Sequence, residues 1–168
     1  MRHQNRRMTD LAAVEAAIYD QSFRALDEQA RVIDALRTRA GALVAGASVA
    51  TAVLGGLAGA TRPGTHGRLD PASWVAIGLF VSVVLLTLFV VTPRTNTALA
   101  HHPDLLVRTY LNREQPVSLG AYRRAIAFYN GRNFDANARQ LRALDATFAV
   151  ASVCLGCELV VWLWILAS

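Results

Sequence analysis

Three stretches of this chain, 42–60, 74–92 and 146–168, are each helix-length and apolar, and they constrain the fold more than any other feature. About 20 predominantly apolar residues cross the hydrocarbon core of a bilayer as a helix. Backbone polar groups there must be satisfied within the segment, so a run of this length spans as a helix. The first two runs carry no charge, and the last, Ala146 to Ala167, carries one, Glu158. The expected fold is therefore all-α, an integral membrane protein with three transmembrane helices. Composition agrees: 54% of the 168 residues are hydrophobic and 17% charged. They are gathered into blocks rather than spread periodically around one water-soluble core.

Charge sets the expected topology. The formal net charge is +5 and all 17 basic residues are arginine. In a soluble protein this would point to nucleic acid. Here the arginines bracket apolar spans, the pattern of topology determinants facing anionic lipid, so no nucleic-acid partner is expected. Seven arginines (2, 6, 7, 24, 31, 37 and 39) precede the first span, and eight (94, 108, 113, 123, 124, 132, 139 and 142) lie between the second and third. The 61–73 linker has only Arg62 and Arg68, and the C-terminal tail has none. Positive loops stay inside. The N-terminus is thus placed in the cytoplasm and Ser168 outside, in a bacterial inner membrane. Trp74, Trp162 and Trp164 are expected at the outer interface. The first span follows some 40 charged and polar residues, not the short basic lead of a secretory signal, and should remain as an anchor.

Residues Thr9 to Ala40 contain neither Pro nor Gly, and Leu11, Val14, Ile18, Ala25, Leu26, Val32, Ile33 and Leu36 recur at near-helical spacing. This predicts an amphipathic helix with Thr9 or Asp10 as N-cap, within a cytoplasmic N-terminal segment 1–41. It should run unbroken into the first span and project about 45 Å beyond it. Its mixed charges favour packing on another helix over lying on a membrane surface. The linker 61–73 holds Pro63, Gly64, Gly67 and Pro71 and reads as a turn region. The second span, with Val75, Phe80, Val83, Leu86 and Phe89, reads as lipid-facing. In the cytoplasmic segment 93–145, Asp104 to Glu114 predicts a short amphipathic helix. Pro116 and Ser118 mark the start of a long helix from Leu119 into the third span, with Gly131 its weakest point.

Candidate functional residues follow from the chemistry of lipid. An ionised acid on a membrane helix costs about 2.5–3.5 kcal/mol even on the lenient scale. Glu158 should therefore face protein or water, either as an ion or proton site or as interhelical glue bonded to Ser48, Thr51 or a second subunit. Along the first span, Ala47, Thr51, Gly55 and Gly59 recur every four residues, and Ser48, Ala52, Gly56 and Ala60 form a second row. Such rows let backbones approach closely or leave room along an axis. Asn130, Asn133 and Asn137 lie on or beside the apolar stripe of the last helix as register devices, with Ser22 and Gln29 as partners. Cys154 and Cys157 lack a neighbouring histidine, and His101 and His102 read as a solvated loop, so no metal is expected. No nucleophile and base pair, phosphate loop or dinucleotide fingerprint is present, so neither enzymatic activity nor a cofactor is expected.

The order of parts, LDEQARVIDALRTRAGALVAG leading into a small-residue span, a second span closing in Pro93, then AYRRAIAFYNGRNFDANARQL before the last span, resembles the small bacterial membrane proteins of the Pycsar-effector and SLATT type. The resemblance implies membrane helices that assemble and perturb the membrane during anti-phage defence. It departs from that group in lacking a recognisable cyclic-nucleotide-binding domain. Together these readings predict a homo-oligomeric pore or ion channel in the lipid bilayer. The alternative is a non-conducting scaffold or sensor whose cytoplasmic helices bind a partner protein.

Overall fold

The computed structural model of the protein describes residues 2–61, 70–93 and 117–168, and the side chains of residues 11–60, 70–93 and 117–168. These residues form three helices and no strand: α1 (Arg2–Thr61), α2 (Pro71–Val91) and α3 (Leu119–Ala167). Each contains a segment long and apolar enough to cross a membrane.

The helix ends follow local chemistry. Nothing in the first 40 residues breaks a helix, and α1 starts at Arg2. Thr9 and Asp10 therefore lie within it instead of capping it, because polar side chains in a helix interior do not stop a chain free of Pro and Gly. The second helix begins at Pro71, ahead of the expected Trp74, since proline suits the first helical position. The carbonyl of Asp70 there accepts the N–H groups of Ser73 and Trp74 at 2.9 and 3.3 Å. Helix α3 starts at Leu119 as its sequence indicates, with the Ser118 hydroxyl accepting the Ala121 N–H at 3.2 Å. Gly131 does not interrupt it. The expected helix over Asp104–Glu114, and His101 and His102, lie outside the described residues.

The chain forms two compact units, Met1–Ile33 with Arg94–Leu141, and Asp34–Pro93 with Arg142–Ser168. In the first, α1 and α3 pack side by side. Ser22 meets Asn130 and Gln29 meets Phe134, so the partners advance together and the helices are parallel. In the second, Thr51 meets Glu158 and Gly55 faces Trp162, again a parallel pair. There α2 returns between them: Ala76 near its start is buried with Ala58, Trp162 and Ile165 near the ends of the other two.

One line of buried positions on each helix keeps a seven-residue period. On α3 they are Asn130 and Asn137 in the first unit, then Leu144, Ala151, Glu158 and Ile165 in the second. On α1 they are Leu26, Ile33, Ala40 and Ala47, and on α2 Ala76, Val83 and Val90. A strict repeat of seven keeps one seam in contact when helices coil left-handedly. Two expectations change here. Val83 is fully buried, not lipid-facing, because it shares the seam with Ala76 and Val90, while Val75 and Phe89 do face outward. Trp162 is a core residue rather than an interfacial anchor, its ring filling the space that Gly55 leaves on α1, whereas Trp74 and Trp164 are exposed.

Gly55 carries that fit. A Cβ there would stand 3.3 Å from Cη2 of Trp162, while one at Gly46 would meet nothing within 4 Å. Overpacking a filled contact costs about 1–3 kcal/mol. Gly55→Leu should lower the thermal unfolding midpoint in detergent, and Gly46→Ala should leave it unchanged or slightly raised.

Candidate functional site

The second unit encloses one acid. Glu158 sits on the buried seam of α3 with no solvent-accessible surface. Its Oε1 accepts a hydrogen bond from the Thr51 hydroxyl of α1. Its Oε2 is buried with no protein partner, and so is Nε1 of Trp162, one turn further along α3. A buried polar atom without a partner costs about 1–3 kcal/mol. The site therefore has one satisfied and one unsatisfied carboxyl oxygen, buried where α3 meets α1.

The small residues of α1 divide between two faces. Ala47 is fully buried, and Thr51 and Gly55 are half-buried against the rest of the unit. Ser48, Ala52, Gly56, Gly59 and Ala60 are exposed, and a Cβ at Gly56 or Gly59 would meet nothing within 4 Å. Ser48 is not brought to Glu158. Its hydroxyl donates to the Val44 carbonyl at 2.8 Å, which leaves the oxygen lone pairs directed outward from the helix.

In the first unit the polar residues of the seam find partners across the helices. Asn130 is buried and its Nδ2 donates to the Ser22 hydroxyl at 3.0 Å. Gln29 donates from Nε2 to the Phe134 carbonyl at 3.1 Å. Asn137 is also buried, and Asn133 is half-buried beside it. The buried Gln29 Oε1 and Asn137 Nδ2 have no protein partner. Ser22 thus partners an asparagine as its stripe position indicated, whereas Gln29 bonds backbone.

A second contact in this unit has no signature in residue spacing. The Glu15 carboxylate lies against Gly120 in the first turn of α3, and its Oε1 pairs with Arg124 Nε at 3.2 Å. A side chain at 120 would occupy that space, so glycine admits the acid to a helix N-terminus, where negative charge is favoured. Beside it the rings of Tyr19 and Tyr122 stand 6.3 Å apart. Burial, and then Tyr19 as neighbouring charge and hydrogen-bond partner, push the Tyr122 hydroxyl above its ordinary pKa.

Cys154 is half-buried and Cys157 exposed, and both are free thiols. No group of three or more His, Cys, Asp or Glu side chains able to hold a metal ion occurs among the described residues. No protein-family model, curated protein or solved structure matches this chain.

The Thr51–Glu158 contact gives a sharp test. Thr51→Val should destabilise by about 1–3 kcal/mol, because it leaves both oxygens of a buried acid unpaired. Thr51→Val combined with Glu158→Leu should recover most of that loss, since replacing both partners by apolar groups removes the unsatisfied atoms. Thermal unfolding of the single and double variants in one detergent measures the coupling. Additive losses would mean the two side chains act independently.

Proposed function

We propose that the protein is an oligomeric pore or ion channel of a bacterial inner membrane, with its N-terminus cytoplasmic and its C-terminus extracytoplasmic. The observation that carries this reading is the outward face of α1 in the second unit. There Ser48, Ala52, Gly56 and Gly59 are exposed on a helix apolar enough to span a membrane, beside the bulkier Val49 and Val53. Membrane helices associate where small residues let backbones approach. Such a row suits contact with further copies around an axis, and the outward lone pairs of Ser48 give that axis a hydroxyl oxygen that can replace part of an ion's hydration shell. On this reading Glu158 and Thr51 fix α1 against α3 and so hold the Ser48 row toward the axis. The resemblance to bacterial anti-phage membrane effectors supports membrane perturbation as the biological setting.

A second reading is a non-conducting membrane scaffold or sensor that binds a partner protein. It is favoured by the complete enclosure of Glu158, which leaves no ionisable side chain of the second unit's seam open to an aqueous path.

Purified protein in liposomes separates the two. Ion flux or dye leakage is expected for a pore. Ser48→Leu should then reduce flux about tenfold or more with assembly intact, while Glu158→Gln, which keeps an acceptor for Thr51, should alter it little. Tight vesicles containing an intact oligomer would sink the pore reading and favour the scaffold.

A further inference from the structure

Two buried polar atoms of the second unit are left over by the packing of α1 on α3. One is Oε2 of Glu158, a residue with no exposed surface, and the other is Nε1 of Trp162, a residue 5% exposed. Neither atom has a protein hydrogen-bond partner. The large majority of buried side-chain polar atoms are bonded to protein or to ordered water. Two exceptions within one turn of the same helix call for a group that serves both.

Their spacing follows from two side chains that cross from α3 to α1. Glu158 reaches Thr51, and Trp162, one turn further along α3, reaches Gly55, one turn further along α1. Both contacts join residues 107 positions apart, so the two crossings run side by side. The far edge of the indole makes the second contact, with Cη2 and Cζ2 at 3.3 and 3.5 Å from where a Cβ on Gly55 would stand. Helix side chains lean toward the helix N-terminus, so the indole leans back over the turn that carries Glu158. One helical turn separates the crossings by about 5.4 Å. Groups at that spacing are too far apart for one hydrogen bond of about 2.7–3.2 Å, and close to the span of two such bonds end to end.

The chemistry of the two atoms selects what lies between them. An indole N–H only donates, whereas a carboxyl oxygen accepts, or donates when it carries the proton. A cation would suit the oxygen and be opposed by the N–H dipole, and an anion would suit the N–H and be opposed by the oxygen. Water suits both, with either form of the carboxyl. We infer that one ordered water molecule is held between Trp162 and Glu158, accepting from Nε1–H and bonding to Oε2. Two polar partners meet the lower bound for holding a buried water, and such a bridge is nearly as favourable as a direct hydrogen bond. Trp162 is thereby a positioning residue, acting through the water to keep Oε2 turned away from Thr51 and Oε1 toward it. The site is the same in a pore and in a scaffold, so the inference rests on neither reading.

Indole NMR of the full-length protein in detergent tests it. Trp74→Phe with Trp164→Phe, both at exposed positions, leaves Trp162 as the single indole of the chain. The expected result is a rotating-frame cross-peak between Hε1 of Trp162 and the water resonance, with the sign of dipolar contact and not that of chemical exchange. Glu158→Gln has no carboxyl proton to relay the signal and keeps a polar group beside the water, so the cross-peak should persist. Glu158→Leu and Glu158→Met remove that group, and whichever of them folds should lose the cross-peak. Absence of the cross-peak before any change at Glu158, the result that a direct bond between Trp162 and Glu158 would give, overturns the inference. Its loss from folded Glu158→Gln, or its survival in a folded apolar variant, overturns it equally.

Discussion

The register of the second unit depends on the hydrogen bond between Thr51 and Glu158. An apolar seam with a period of seven looks much the same after a slip of seven residues, so outside the Gly55–Trp162 fit apolar burial does not fix how far α1 is advanced along α3. A slip of that size would set Glu158 against Val44 or Ala58, neither of which has a side chain able to pair with it. The carboxyl would then be buried with both oxygens unsatisfied, at a cost of about 1–3 kcal/mol for each unpaired group. The polar pair adds little net attraction, and its weight comes from penalising every alternative alignment. A single asparagine in a coiled-coil seam acts in the same way.

Around that bond the packing is made by very small side chains. Ala40 and Ala47 on α1, Ala76 on α2 and Ala151 on α3 are all fully buried. Alanine at a crossing brings backbones close, which multiplies dispersion contacts where hydrocarbon supplies no hydrophobic drive between helices. The exception is Trp162, whose ring needs a glycine opposite it. Large and small residues at facing positions interdigitate and fill the layer. The first unit uses larger seam residues, Leu26, Ile33 and Ile126, together with Asn130, Asn137 and Gln29. A neutral side-chain amide on a seam costs less to bury than a charge, and a hydrogen bond across the helices offsets that cost.

Much of the architecture could be read from the chain itself. The three helices, the uninterrupted passage of α1 into its apolar run and the start of α3 after Ser118 follow from spacing and breakers, and the cost of an acid in an apolar run put Thr51 among the partners open to Glu158, from which the packing selects it. The faces were less legible. In α2 nearly every residue is apolar, so nothing distinguished Val83, which is buried, from Leu85, which is exposed. Only the period of seven sorts them, and it becomes visible once the packing partners are known. Trp162 and Trp164 look alike in sequence because either could anchor at an interface, and the cleft beside Gly55 decides which one turns inward. The Glu15 contact was hidden for a different reason, since it joins residues 105 positions from Gly120 through space that exists only because that glycine has no side chain.

Helix α1 carries an exposed row of side chains in each unit, and the two rows differ in size. In the second unit the outer row is Ser48, Ala52, Gly56 and Gly59, and in the first it is Leu11, Val14, Ile18 and Val32. The change in size tracks the change in solvent that the hydropathy of the chain implies. In lipid, bulk on an outward face gains nothing over the surrounding tails, and small residues win by permitting close approach. In water, association is driven by area removed from solvent, at roughly 25 cal/mol per Å², and larger side chains win. A single continuous helix can thus be sticky along its length only if its composition switches from large to small where its surroundings do, and the sequence of α1 makes that switch between Val32 and Ser48.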